Sequence, residues 1–308
     1  HERFEQIADS LTHFQLQRLD PDEVEITADE VVSELEGATS NLFFLGFYSR
    51  AGIETALQEY GILDLLARRG FAGIRVWMDV RDPFQQRVRF YYDEKEDAEH
   101  LLAEIVAREA NFKSAPAFET DWPGVGRTFR MVVLDWLTLR NPLRGFTEDK
   151  PRLPGQDHPG LEIGEEVMEL LIQMARRLER DGLVNFPDHY HNAFLYARNF
   201  RYFSPFTQGR VMAVARDAGA ETLARISWAI EWGCLLDGRT GRSVPWSEFR
   251  GEQILPIAPL LGEYFERPDY WERAERAAEE ASFRFDWERY DAVLAEKRAK
   301  GDREVPSP

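Results

Sequence analysis

The sequence has a single cysteine, Cys234, among 308 residues, so no intramolecular disulfide can form. Cys234 lies in the apolar run WAIEWGCLL, which is typical of a buried strand. A reducing, cytoplasmic compartment is therefore expected.

No apolar run approaches the roughly 20 residues that cross a bilayer. The acidic start HERFEQIADS does not resemble a signal peptide. We therefore expect no membrane-spanning segment.

The sequence also has few positively charged residues relative to negatively charged ones. The chain has 38 Lys and Arg against 55 Asp and Glu, for a formal net charge of -17. Such a chain repels phosphate backbones, so nucleic-acid binding is not expected. Residues 20–36 carry acids and no Lys or Arg. This stretch is either a solvated acidic face or a docking face for a basic partner. A protein partner or a second copy of the chain is left open.

The composition supports a packed interior. Hydrophobic residues make up 44% of the chain and aromatic residues 13%, which is enough for one large core or two modest ones. The sequence pattern divides the chain into three parts. These are an N-terminal helical and acidic segment (1–39), an α/β domain (40–262) and a charged C-terminal helical appendage (263–308).

Hydrophobic spacing predicts most of the local elements. Glycine caps are predicted to end two short helices, and Asp237-Gly238 is predicted to form a turn. The predictions are a helix over 4–19, helices over 51–61 and 62–70, a hairpin over 74–94, a helix over 94–112 and a long hairpin over 223–246.

The most informative stretch is the central one. The apolar strand MVVLDWLTL runs into the loop PRLPGQDHPGLEIG, which opens onto an amphipathic helix starting after Gly164. A short strand, LVNFP, and a helix containing DHYHNAFLYARNF follow. The loop brings unpaired N–H groups and the positive end of a helix dipole beside a strand end, where a pyrophosphate can bind. Strand, helix and strand in this order predict a right-handed crossover.

In these residues the chain resembles the GNAT superfamily of acyltransferases. That family's loop, Arg/Gln-x-x-Gly-x-Gly/Ala, falls on residues 159–164, and its later helix falls on Asn192, Ala193, Leu195 and Tyr196. The chain departs from the family pattern at Pro159, Glu162 and His189, which stand where the family has Arg or Gln, its first glycine and an Asn.

The resemblance implies a mixed central sheet flanked by helices, here with extra N- and C-terminal helices, and acyl-CoA as co-substrate. It also implies that Tyr196 protonates the departing thiolate, although a core aromatic with a satisfied hydroxyl is the alternative. Backbone amides would hold the pyrophosphate at Gly160, Leu161, Glu162, Ile163, Gly164 and Glu165.

Transfer of the acyl group to an amine also needs a base. Asp135 interrupts the apolar strand, so it either faces outward or is a poised base. His189 and His191 are the other base candidates. On a helix these two histidines point roughly 200° apart, whereas in an extended turn they lie on one side. Asp188 is predicted to be the N-cap of their helix.

Two other functions are left open beside acyl transfer from an acyl-thioester (acyl-CoA or an acyl carrier) to a small amine. One is a non-catalytic protein on the same fold, in which Glu162 records a lost cofactor site. The other is a metal-dependent enzyme built on His158, Asp188, His189 and His191, although no Cys pair or HExxH spacing supports it and no metal is expected.

Overall fold

The structure, a computed structural model, describes residues 2–19, 42–302 and 304–306. The chain forms two compact units, each assembled from three segments. The first unit consists of His1–Ala110, Arg130–Leu143 and Gly160–Arg180. The second consists of Asn111–Phe129, Arg144–Pro159 and Asp181–Pro308. The division into residues 1–39, 40–262 and 263–308 stays a prediction.

The described strands are β1 (Arg75–Asp79), β2 (Gln86–Tyr91), β3 (Leu101–Lys113), β4 (Thr128–Leu139), β5 (Gly182–Asn185), β6 (Arg201–Tyr202), β7 (Leu235–Asp237), β8 (Gln253–Pro256) and β9 (Phe283–Phe285). Seven of them follow one another in a single sheet in the order β1-β2-β3-β4-β5-β8-β6, and β7 pairs with β9 separately.

The described α-helices are α1 (Glu2–Ser10), α2 (His13–Leu16), α3 (Arg50–Glu59), α4 (Ile62–Arg68), α5 (Gly164–Arg177), α6 (Tyr190–Tyr196), α7 (Pro205–Ala218), α8 (Leu223–Glu231), α9 (Pro259–Glu266), α10 (Pro268–Glu280) and α11 (Trp287–Ala299). The predicted α/β class, a mixed sheet with helices and with further helices toward both ends, is confirmed. Within the described ranges, no helix is long and apolar enough to cross a bilayer.

Several local predictions in the first unit are confirmed. The two helices at 51–61 and 62–70 are α3 and α4, and each is followed by a glycine with positive φ, Gly61 at 74° and Gly70 at 93°. The hairpin predicted over residues 74–94 is the antiparallel pair β1 and β2.

The predicted helix over residues 94–112 is wrong, because this stretch contains β3, which pairs antiparallel with β2. Leu102 and Ala103 are both buried, and so are Val106 and Ala107. Neighbouring residues of a strand face opposite sides of the sheet, so both faces are covered here. Burial on both faces removes the alternation of apolar and polar residues, and the remaining spacing imitates a helix.

The single N-terminal helix predicted over residues 4–19 is divided into α1 and α2. Thr12 starts α2 with a capping box, in which its side chain accepts from the amide of Gln15. Leu11 and Leu16 are buried on either side of this break. The acidic stretch over residues 20–36 lies outside the described residues.

In the second unit, the strand predicted over residues 223–236 is wrong in its first part. Thr222 accepts a hydrogen bond from the amide of Arg225 and starts α8. Five consecutive residues near the end of this helix, 226–230, are buried, so the sequence shows no clear polar face there. The predicted long hairpin is reduced to one bridge between Leu236 and Ser243, and β7 pairs with β9 instead.

Candidate functional site

The predicted pyrophosphate loop, residues 160–165, lies in the first unit and ends in the first turn of α5. Leu161 and Ile163 are buried and anchor the loop, whereas Glu162 and Gly164 are exposed. The alternation presents the backbone of the exposed residues to solvent. A Cβ built on Gly164 would meet no atom within 4 Å, so there is open space beside the start of the helix.

The backbone of this loop has an unusual conformation. Glu162 has a φ of 60°, in the left-handed region that favours glycine. The Arg69 guanidinium donates to the carbonyl oxygen of Glu162 at 3.0 Å. The N-cap of α5 is Ile163, and no side chain caps the helix there. The helix therefore begins without the side-chain oxygen that covers first-turn amides in many helices.

Asp135, also in the first unit, is exposed on β4. Its carboxylate pairs with Arg108, whose Nε lies 3.0 Å from Oδ2. The acid that interrupts the apolar strand therefore faces outward and has a cationic partner on β3. The interruption in the sequence is explained by this pair without a buried charge.

The second unit contains the histidine pair. His189 precedes α6 with an extended backbone, φ -133° and ψ 157°, and its ring stacks on that of His191 with centroids 5.2 Å apart and planes at 13°. The two rings therefore lie on one side, because His189 is extended, although His191 is already in the helix. Asp188 is not the N-cap as predicted, because α6 begins one residue later; His189 occupies that position without a side-chain cap.

The nitrogens of His189 have different surroundings. Nδ1 lies 3.2 Å from Oε2 of Glu231 at the end of α8. Nε2 faces Gly155, where a built Cβ would lie 3.3 Å away. A carboxylate at one ring nitrogen fixes the orientation of an imidazole and leaves the other nitrogen to act on a substrate. Glu231 was not identified as a partner from the sequence, because the stretch that contains it was predicted to be a strand.

His191 behaves differently from its neighbour. Its side chain is buried, and Nδ1 has no hydrogen-bond partner. Burial, and to a lesser extent the charge of His189, lowers the pKa of His191 to about 3. The imidazole is therefore neutral at pH 7 and is a weak base, since a general base acts best with a pKa near the working pH.

Tyr196 ends α6, with its ring edge-on to Phe200 at a centroid distance of 5.7 Å. Burial raises the pKa of its phenol to about 12. The hydroxyl is therefore protonated at neutral pH and is able to donate a hydrogen bond.

A further polar cluster was missed by sequence reasoning. Asn185, Gln253 and Tyr202 lie opposite one another on β5, β8 and β6, so their side chains share one face of the sheet. Both amide atoms of Asn185, Oε1 of Gln253 and the Tyr202 hydroxyl are buried without a partner. Nε2 of Gln253 donates to the carbonyl of Ala193 in α6 at 3.3 Å.

An unpartnered buried polar group costs about 1–3 kcal/mol, so this polar cluster beside α6 is suited to bind a polar ligand atom or water. The signal available in the sequence was the asparagine in the apolar strand LVNFP. Asp135 in MVVLDWLTL is likewise a polar residue in an apolar strand, but it is exposed and ion-paired. The pattern alone therefore does not distinguish a buried polar residue from an exposed one.

No group of three or more His, Cys, Asp or Glu side chains able to hold a metal ion occurs in the part of the chain that the structure describes. Stacked imidazoles direct their ring nitrogens along two parallel planes, so His189 and His191 do not converge on one ion.

The candidate residues thus fall into two sets. The loop 160–165 and Asp135 belong to the first unit, and His189, His191 and Tyr196 belong to the second.

No protein-family model matches the chain, and no curated protein matches it. Among solved structures, it is similar to AtaT complexed with acetyl-methionyl-tRNAfMet and to AtaTR bound with AcCoA. Each alignment has 12% sequence identity and covers 53% of this chain and 82% of the other. The TM-scores are 0.25 and 0.26, respectively, a level of similarity that carries no argument about function.

Proposed function

We propose that this chain is a GNAT-like acyltransferase that moves an acyl group from an acyl-thioester, acyl-CoA or an acyl carrier, to an amine. The observation that carries the proposal is the backbone at Glu162. The residue that falls on the family's first glycine has the left-handed φ that glycine favours, although it is a glutamate. A chain with an ordinary crossover loop has no need of that conformation at that position.

The loop 160–165 supplies the anion site of this proposal. Its exposed backbone and the uncapped start of α5 offer N–H groups and the positive end of a 14-residue helix to a pyrophosphate. The Glu162 side chain is exposed, so water and salt weaken its repulsion of the phosphates.

In the second unit, His189 is the proposed general base and Glu231 positions it. The amine nitrogen attacks the thioester carbonyl, His189 Nε2 takes the proton that the nitrogen loses, and the thiolate leaves as the carbonyl re-forms. Tyr196 donates a hydrogen bond to the leaving sulfur. His191 and Asp135 are weaker candidates for the base, because the pKa of His191 is lowered to about 3 and Asp135 is paired with Arg108.

The loop assignment is tested by Glu162→Gly with Glu179→Gly as the matched control. Both residues are exposed glutamates of the first unit with positive φ, 60° and 53°. Each glycine relieves about 1 kcal/mol of backbone strain, so both variants should melt at a higher temperature than the wild type. Only Glu162→Gly should bind CoA more tightly, by about 5-fold, because it removes one like charge beside the phosphates. Isothermal titration with CoA measures the affinities.

Equal CoA affinity in the two variants would place the pyrophosphate elsewhere. The second candidate, a non-catalytic protein on the same fold, is favoured by the carboxylate at Glu162 and has a different outcome in the same titration. The wild type would then show no binding at millimolar CoA, while Glu162→Gly would regain it.

A further inference from the structure

Two neighbouring apolar cavities lie inside the first unit. Their volumes are about 100 Å³ and about 70 Å³. Five side chains line both of them: Leu57, Phe90, Ile105, Leu170 and Leu171. The second cavity has no polar side chain in its lining, which includes Leu139, Leu161 and Val167. These shared side chains come from α3, α5, β2 and β3, and they place the two cavities side by side.

The polar side chains of the first cavity are gathered around one cation. They are Tyr48, Tyr60, Gln173 and Arg177. Burial raises the pKa of both phenols, and the Arg177 charge lowers it, so the guanidinium lies near both hydroxyls. The charges of Glu169 and Asp9 raise the pKa of Tyr60 further, so the Tyr48 side of Arg177 is the better place for an added carboxylate. Gln173 and Arg177 are four residues apart on α5 and therefore lie on the same side of the helix.

Arg177 is half-buried and donates to the carbonyl oxygen of Ala8. It forms no ion pair with any carboxylate among the described residues. Neither phenol has a hydrogen-bond partner for its hydroxyl within the same ranges. A guanidinium beside two phenol hydroxyls offers three donors to one carboxylate, which can accept hydrogen bonds from all of them.

We propose that the first unit binds a medium-chain fatty carboxylate, with the carboxylate at Arg177, Tyr48 and Tyr60 and the alkyl tail in the two apolar cavities. The site goes beyond the proposed acyl transfer, because the ligand is a free acid that needs neither CoA nor an amine. An apolar cavity of about 150 Å³ takes a benzene-sized molecule, so the two cavities fit a tail of about six to eight carbons.

The proposal is tested first on the wild-type chain with octanoate, octanol and acetate, each by isothermal titration and by thermal melting. Octanoate should bind at least 10-fold more tightly than octanol, because octanol has the same tail without the charge. Acetate at equal ionic strength should not raise the melting temperature, since it has no tail for the apolar walls.

Two variants then identify the carboxylate site. Arg177→Met keeps the apolar stem of the side chain and removes the guanidinium with its charge, so octanoate should bind at least 10-fold more weakly, no better than octanol. Arg176→Met is the control, because Arg176 is exposed and pairs with Glu5 at 2.7 Å instead. That variant should bind octanoate as the wild type does.

Equal binding of octanoate and octanol by the wild type would overturn the proposal, and so would an equal loss of octanoate binding in both arginine variants. If Arg177→Met does not fold, Tyr48→Phe and Tyr60→Phe take its place, and each should weaken octanoate binding without affecting octanol. CoA is absent from every titration, so the result stands apart from that of the loop variants.

Discussion

Each unit has one pair of helices in backbone contact, but in the first unit cavities of about 100 and 70 Å³ also remain between the helices and the strands. In the first unit, a Cβ built on Gly52 of α3 would lie 1.9 Å from the carbonyl oxygen of Leu16 in α2. A Cβ built on Gly209 of α7 would lie 2.0 Å from the carbonyl oxygen of Ala274 in α10. The second unit is instead incomplete in its hydrogen bonding, as Asn185 and Gln253 illustrate.

The two units are therefore suited to different parts of a ligand. Space between apolar side chains accepts a ligand's tail without rearrangement, which suits the first unit. Close backbone contact allows no added atom but holds side chains in fixed positions, which is what reacting groups require. In the second unit, the close helix contact and the buried polar groups can each be tested by substitution.

The largest expected effect comes from Gly209→Ala. The new methyl group overlaps a backbone carbonyl oxygen, which is not free to rotate away as a side chain would be. We expect the free energy of unfolding to fall by about 2–3 kcal/mol, after allowing for the better helix propensity of alanine. Urea denaturation measures the change. Gly262→Ala is the control, because a Cβ there meets nothing within 4 Å.

That control should stabilise the chain by about 0.5–1 kcal/mol, the propensity gain alone. If Gly209→Ala were as stable as Gly262→Ala, α7 and α10 would have room to separate. The second unit would then lack the close helix contact that is expected to hold its side chains in fixed positions.

The second prediction concerns the buried His191, whose pKa is lowered to about 3 from an ordinary value of 6.5. The unfolded chain therefore takes up this proton first as the pH falls. The stability that the neutral imidazole contributes is present above pH 6.5 and declines between pH 6.5 and pH 3. From pH 7 to pH 5 the wild type should lose about 2 kcal/mol through this group.

His191→Gln should remove that share of the pH dependence, because glutamine does not titrate. Denaturation at pH 5 and pH 7 measures it as the difference between the wild type and the variant. Equal pH dependence in the wild type and in His191→Gln would mean that His191 is more hydrated than its burial indicates.

A helix or strand could be predicted from the sequence where one of its faces is buried and the other is accessible to solvent. α5 and the hairpin of β1 and β2 have that pattern, and both are confirmed. β3 and α8 are covered on more than one side, so their apolar residues show neither period cleanly. For these two stretches the deciding information is the packing around them, which a local pattern does not contain.

The candidate site was predictable to a smaller extent. The loop 160–165 was located from its glycines and the helix that follows, but the left-handed φ of Glu162 was not expected of a glutamate. The partner of His189 was missed because Glu231 is 42 residues away in sequence. Pairings between distant residues depend on the fold, so their chemistry became visible only with the structure.

The last prediction has the smallest expected effect and concerns Tyr196. Burial raises its pKa to about 12, whereas a thiol has an ordinary pKa of about 8.5. Full proton transfer from the phenol to a thiolate is therefore uphill by about 5 kcal/mol, and a hydrogen bond to the sulfur is the role that fits. Tyr196→Phe should lower kcat for thiol release from acetyl-CoA by about 10-fold, the value of one hydrogen bond to a charged atom.

Tyr264→Phe separates this role from a structural one. The Tyr264 hydroxyl donates to the Phe203 carbonyl at 2.8 Å inside the same unit, so its loss should cost about 1 kcal/mol of stability and leave kcat unchanged. Tyr196→Phe should show the reverse pattern, reduced kcat with stability close to that of the wild type. If Tyr196→Phe instead loses stability at full kcat, the phenol is a packing residue. The tightly packed second unit would then hold His189 in place without supplying a donor to the leaving sulfur.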